Sequence, residues 1–200
     1  MRMLRIKNSF GLFLSVTMGY LFFLFAWEPG GIFGMNDVVS ALVHVMSNGQ
    51  YSFNGVLFPI LATLPMATRY VREWKSGYLK LVFSKQKRNE YIVKMLLKNA
   101  FIGGSALALP AILFTIQLYI YYREWCSPYQ ELLHVHFMKQ IAIQNGCFYA
   151  FLVIVGVFCC GAVFSTFSLG ISAWTKNSFL TIMLPFVLCI AVINPTQNQV

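Results

Sequence analysis

Acidic residues are the scarcest chemistry in this 200-residue chain: six Asp and Glu stand against fifteen Lys and Arg, and charged residues make up only 10%. An apolar share of 58% and a mean hydropathy of +0.66 accompany that scarcity. So little polar surface cannot enclose a water-soluble core, and the composition belongs in a bilayer. No H-E-x-x-H, G-x-S-x-G or G-x-x-x-x-G-K-[ST] run occurs, so metalloprotease, hydrolase and nucleotide-binding chemistries lack their minimum parts. Cys126, Cys147, Cys159, Cys160 and Cys189 form no C-x-x-C pair, and three of them lie in apolar runs, where they read as small hydrophobes. His134 and His136 are spaced i, i+2, which faces one side only on a strand, whereas the surrounding pattern is helical; they read as surface histidines without a metal. No A-x-A cleavage pattern follows the apolar stretch that begins at Phe10, so that stretch reads as an uncleaved first span. Ionisable residues are also missing from the middle of the apolar runs, which disfavours an ion-coupled transporter. The chain is therefore expected to be no enzyme and to hold no cofactor or metal, and any active work draws its energy from a partner.

What is present is an alternation of apolar runs and unequally charged connections. Five spans are predicted, at 10–27, 53–68, 96–122, 147–174 and 179–193, of which the second and fifth are short. Nine of the fifteen Lys and Arg fall between 69 and 98, and Arg2, Arg5 and Lys7 precede the first span. Such clustering between apolar runs marks the cytoplasmic side rather than a nucleic-acid surface. Residues 28–52 carry none and are placed outside, 123–146 carry two and are placed outside, and Lys176 returns the chain to the inside. The N-terminus is thus cytoplasmic and residues 194–200 are external, in a cell-membrane protein of one transmembrane domain, 1–200, without a soluble domain or internal repeat. An odd number of spans points either to a missing sixth span or to a re-entrant segment.

Asp37 opens a short apolar run as a plausible N-cap, and Asn48-Gly49 closes it, which predicts a short interfacial helix outside. Leu133, Phe137 and Ile141 at spacing four predict another. The mid-span hydroxyls Ser15, Thr17, Thr63, Ser105, Thr115, Ser165, Thr166 and Ser168 read as groups that bond backbone carbonyls or neighbouring helices. Gln117 stands apart, because a primary amide in hydrocarbon needs partners and could line a translocation path. Gly156, Gly161 and Gly170, with Pro59, Pro65 and Pro110, read as sites of close helix approach and kinking.

Within the basic segment, Val71, Trp74, Tyr78, Leu81 and Val82 recur at helical spacing opposite Arg72, Glu73, Lys75, Ser76 and Lys80. This predicts an amphipathic helix under the membrane over 71–83, with Gly77 marking a bend or a close backbone contact. A polar turn at 84–89 follows, then Glu90, Lys94 and Lys98 at spacing four, with Asn89 placed to cap the third span.

The run of residues 72–80, the turn 84–88 and the stretch 91–94 together resemble the loop between the second and third spans of type-2 ABC transporter permeases. Glu73, Gly77, Ser84, Arg88, Tyr91 and Lys94 match that pattern, while Gln86 stands for the usual Pro and Tyr78 for the usual Thr. Residues 1–9 resemble the family's interfacial helix, and residues 169–177 its exit from the fourth span. The resemblance implies an all-α polytopic transmembrane bundle, six spans being usual where five are predicted here, with a cytoplasmic coupling helix in segment 69–95. It also implies an ATP-binding cassette ATPase subunit as partner, and a second copy or homologous permease subunit beside it. Glu73, Trp74, Lys75, Gly77 and Tyr78 would engage the ATPase, and Arg88, Tyr91 and Lys94 would anchor the third span at the lipid surface. The function implied is that of an exporter permease. The alternative is a membrane scaffold or immunity-type protein whose basic loop recruits lipid or a cytoplasmic partner.

Overall fold

The computed structural model describes residues 2–26, 37–47, 53–65, 71, 73–78, 84, 87–126, 139–175, 177 and 179–187. The expectations for Asn48-Gly49, Arg72, residues 79–83, Lys85, Gln86, Leu133, His134, His136, Phe137, Lys176, Cys189 and 194–200 lie outside the described residues. Every regular element among those described is a helix: α1 Arg2–Ala26, α2 Val38–Ser47, α3 Phe53–Thr63, α4 Arg88–Tyr122, α5 Lys139–Gln144 and α6 Gly146–Thr175. Residues 179–187 are helical as well.

Among the described residues two helices are long and apolar enough to cross a membrane, α4 with 35 residues and α6 with 30. At ~1.5 Å per residue they extend about 52 and 45 Å, against about 30 Å of hydrocarbon. α4 ends at Tyr122, where the apolar pattern places its end, and α6 begins one residue before the expected Cys147. α3 has 11 residues, about 16 Å of helix, roughly half a crossing. It stops at a turn over Leu64 and Pro65, since a proline there has no N–H with which to continue the ladder.

α4 and α6 cross at the centre of the fold, through residues too small to hold them apart. A Cβ added to Gly103 would lie 2.2 Å from Ser165 Cβ and 3.1 Å from the Ala62 carbonyl oxygen. One added to Gly161 would lie 2.7 Å from the Gly103 carbonyl oxygen, and the Phe158 ring fills the space over Gly104. Gly156 and Gly170, by contrast, have nothing within 4 Å. Of the three glycines read together from the sequence, only Gly161 serves helix approach among the described residues. α1 lies along α4, with Phe23 stacked on Phe114 at 5.4 Å between ring centroids.

α2 departs from the expected interfacial helix. Val38, Val39, Ala41 and Leu42 are fully buried, and α2 shares the core with Phe23, Leu107, Phe114, Leu118 and Ala150. The physical reason is its composition: Val-Val-Ser-Ala-Leu-Val-His-Val-Met-Ser has apolar residues on nearly all sides and no polar face to give to water. Its first amides are nonetheless satisfied. The Val38 and Val39 N–H groups donate to the carbonyls of Glu124 and Trp125 at 3.1 Å each, and Ser40 N–H donates to Asp37 Oδ2 at 3.3 Å. Asp37 is thus the N-cap that the sequence predicts. The receiving carbonyls are presented by a turn at Arg123, whose φ of 60° lies in the left-handed region, and by stacking of Tyr119 on Trp125. Burial, and then the nearby Asp37 carboxylate, push the Cys126 thiol above its ordinary range.

The outward surfaces of the long helices remain apolar. Leu97, Phe101, Ile116 and Ile120 on α4, and Phe151, Val163, Phe167 and Trp174 on α6, are all exposed. Contiguous apolar surface of this extent is what water-soluble monomers avoid.

Candidate functional site

The basic segment enters as a short helix that includes residues 71 and 73–75 and turns at Ser76 and Gly77. Gly77 has φ +70°, and its N–H donates to the Trp74 carbonyl at 3.1 Å. The continuous helix expected over 71–83 is therefore interrupted at Gly77. Among the described residues nothing lies within 4 Å of where a Cβ would be, so this glycine supplies the left-handed backbone of the bend. The predicted apolar stripe is divided too. Val71 and Glu73 face inward, Glu73 being only 5% exposed, while Trp74, Lys75, Ser76 and Tyr78 face outward.

Glu73 turns inward because it has a partner there: the Tyr91 hydroxyl donates a short hydrogen bond to Glu73 Oε2. Two residues assigned to separate tasks, ATPase contact and membrane anchoring, are thereby joined to each other. The bond ties the segment to the first turn of α4 across 18 residues of sequence. Arg88 and Lys94 are exposed on those first turns. The helix begins after Lys87, which makes no side-chain cap bond, and Asn89, expected as the cap, lies inside the helix. Glu90 and Lys94 form no ion pair, so the pairing that their spacing predicts is not realised among the described residues.

Gln117 is half-buried, and its Oε1 accepts a hydrogen bond from the Tyr20 hydroxyl at 2.6 Å, tying α1 to α4. The amide expected to line a path is engaged in helix packing. Tyr20→Phe leaves that carbonyl without its donor, and a stability loss of about 1–2 kcal/mol is expected. Adding Gln117→Leu to that variant should recover most of the loss, as read by thermal unfolding in detergent. A double variant no more stable than Tyr20→Phe alone would show that the bond contributes little.

Asn99, which the sequence reading passed over, is fully buried between α4 and α6. Its Nδ2 donates to the Ser165 carbonyl at 2.6 Å, and Ser165 Oγ donates back to the Asn99 carbonyl at 3.1 Å. Asn99 Oδ1 has no hydrogen-bond partner among the described residues. A signal was present: Asn99 stands four residues before Gly103, and Ser165 four residues after Gly161, so each small residue shares a helix face with a hydrogen-bonding one. Other mid-span hydroxyls, on Ser15, Thr17, Thr63, Ser105, Thr115 and Thr166, donate to carbonyls of their own helix. Ser168 reaches across to the Thr181 carbonyl at 2.8 Å.

Among the described residues no group of three His, Cys, Asp or Glu is placed to hold a metal ion. Comparison with family models, with curated proteins and with solved structures found no match.

Proposed function

We propose that the chain is the membrane-spanning permease subunit of an ATP-driven ABC-type exporter, with its N-terminus in the cytoplasm and about five spans. Trp74, Lys75 and Tyr78 would form its contact with a separate ATP-binding subunit. The observation that supports this is where the Glu73–Tyr91 hydrogen bond holds the segment. If α4 enters hydrocarbon at Phe101, the helix from there to Tyr122 measures about 33 Å, which matches a core about 30 Å thick. Tyr91 then lies about 15 Å before that boundary, past a headgroup layer of roughly 5–8 Å per leaflet. Trp74 and Tyr78, 45% and 39% exposed, would then sit on the aqueous side of the lipid surface. Exposed aromatics flanked by a lysine in that position suit a protein groove. A lipid-anchoring helix needs its aromatics at headgroup level instead.

The coupling follows from the same contacts. A partner that displaces Trp74 displaces Glu73, whose bond to Tyr91 moves the first turns of α4. Asn99 and Ser165 bind α4 to α6, so both long helices move as one body. Substrate chemistry is left open by spans that are uncharged and rich in Phe.

A photo-crosslinking residue in place of Trp74, activated in native membranes, tests the proposal. Adducts should carry peptides of an ATP-binding protein, and Tyr91→Phe should reduce ATP-dependent transport without loss of expression. Lipid adducts alone would move the chain to the scaffold reading, in which the basic loop recruits membrane or another cytoplasmic protein.

A further inference from the structure

We infer that the first turns of α4 carry a binding site for an anionic glycerophospholipid of the cytoplasmic leaflet, its phosphate held by Lys94 and Lys98, its glycerol region beside Leu97 and an acyl chain lying along Phe101. The inference rests on the bilayer placement given above and not on the transport reading.

Lys94 and Lys98 are four residues apart, as are Leu97 and Phe101, and each lysine precedes one of the two apolar residues by three, so all four share one face of α4, and all four are exposed. Lys94 and Lys98 are one turn apart, with Cβ atoms about 5–6 Å from each other, close enough for both ammonium groups to reach one phosphate. Long side chains on a helix lean toward its N-terminus, which directs the Lys98 ammonium out of the hydrocarbon and toward the headgroups, while Lys94, one turn farther out, reaches back to the same layer along its flexible stem. Neither lysine has a carboxylate partner among the described residues, although Glu90 is one turn from Lys94.

Depth separates these lysines from the other basic residues of the segment. With hydrocarbon beginning at Phe101, Lys98 and Lys94 lie about 4.5 and 10 Å outside it, within lysine reach of the phosphate layer. Arg88 lies about 20 Å outside, beyond that layer, so the surface anchor expected at Arg88 falls to Lys98. Phe101, at the hydrocarbon boundary, is 68% exposed, and Leu97, about 6 Å outside it between the two lysines, is 67% exposed. Phe101 packs edge-on against Phe158 of α6 at 6.0 Å, so both long helices contribute to the apolar surface beneath the lysines. A basic pair above an apolar strip matches a phosphate ester attached to a hydrocarbon chain. An acidic protein surface would use the lysines and leave the strip bare.

Native mass spectrometry of the full chain in neutral detergent tests this, with dioleoyl phosphatidylglycerol titrated against dioleoyl phosphatidylcholine. The first phosphatidylglycerol should bind about thirtyfold more tightly than phosphatidylcholine, as two lysines near a lipid surface provide. Lys94→Gln with Lys98→Gln should abolish the preference, Lys98→Arg should keep it, and Lys75→Gln with Arg88→Gln should leave it intact. Equal binding of both lipids, or an equal loss from the Lys75 and Arg88 pair, would overturn the site in favour of diffuse charge. Full competition by inorganic phosphate would overturn the acyl-chain contribution. Should the double lysine variant fail to fold, Lys98→Gln alone must still weaken the preference. Failure of the Trp74 crosslink to capture an ATPase leaves this measurement unaffected, so the two proposals fall separately.

Discussion

Gly103→Val is expected to lower the thermal midpoint of the detergent-solubilised protein by about 6–12 °C. The Cβ it introduces would meet Ser165 Cβ at 2.2 Å and the Ala62 carbonyl oxygen at 3.1 Å, and no rotamer change relieves a Cβ fixed by the backbone. Overpacking of this kind costs about 3 kcal/mol, and each kcal/mol moves the midpoint of a chain this size by about 2–4 °C. Gly156→Val, at a position open on the surface of α6, supplies the control and should shift the midpoint by less than about 2 °C. Equal losses at the two glycines would mean that the cost does not come from the α4–α6 crossing.

Asn99→Asp, nearly identical in shape, should be at least as damaging at neutral pH. It replaces the amide that donates to the Ser165 carbonyl with an oxygen that cannot donate, and it buries a carboxylate 2.6 Å from a carbonyl oxygen. Removal of the compensating partner from a buried charge costs about 3–5 kcal/mol. The sign of its pH dependence follows directly. The site favours the protonated acid, so the folded pKa is raised above the usual value near ~3.9. The penalty is absent below that value, grows as pH rises toward the folded pKa, and is constant above it. Unfolding of the variant and the parent compared at pH 4 and pH 7 should show the gap narrowing in acid. A gap independent of pH would place Asn99 in a wetter environment than its burial indicates.

The parts of this fold that were legible in the sequence are those in which one helix carries its own signal. α4 and α6 are continuous apolar runs far longer than a core helix requires, and Asp37 is an N-cap followed at once by hydrophobic residues, so both could be read locally. Misreadings arise where meaning depends on a neighbour from elsewhere in the chain. Gly156, Gly161 and Gly170 are equivalent on one helix, and only the approach of Gly103 separates the second from the others. Asn99 and Ser165 are 66 residues apart, and nothing in either stretch names the other. The primary amide of Gln117 needs a partner in hydrocarbon, but that partner, Tyr20, lies 97 residues away. For α2 the signal lies in its own composition, since a helix without a polar face does not rest at an interface. In the candidate site, the spacing of Val71, Trp74 and Tyr78 was real, but it could not reveal that Glu73 would be drawn inward by Tyr91 or that Gly77 would end the turn.

The docking of α2 has a consequence for how the chain is made. The amides at its start bond to the carbonyls of Glu124 and Trp125, which leave the ribosome roughly eighty residues later, a delay of several seconds at ~5–20 residues per second. Throughout that interval an apolar helix waits without the groups that complete its first turn. During synthesis it must be sheltered by the insertion machinery or rest in lipid, and slow passage through the stretch before Tyr119 would prolong its exposure to the quality-control proteases that remove unassembled segments.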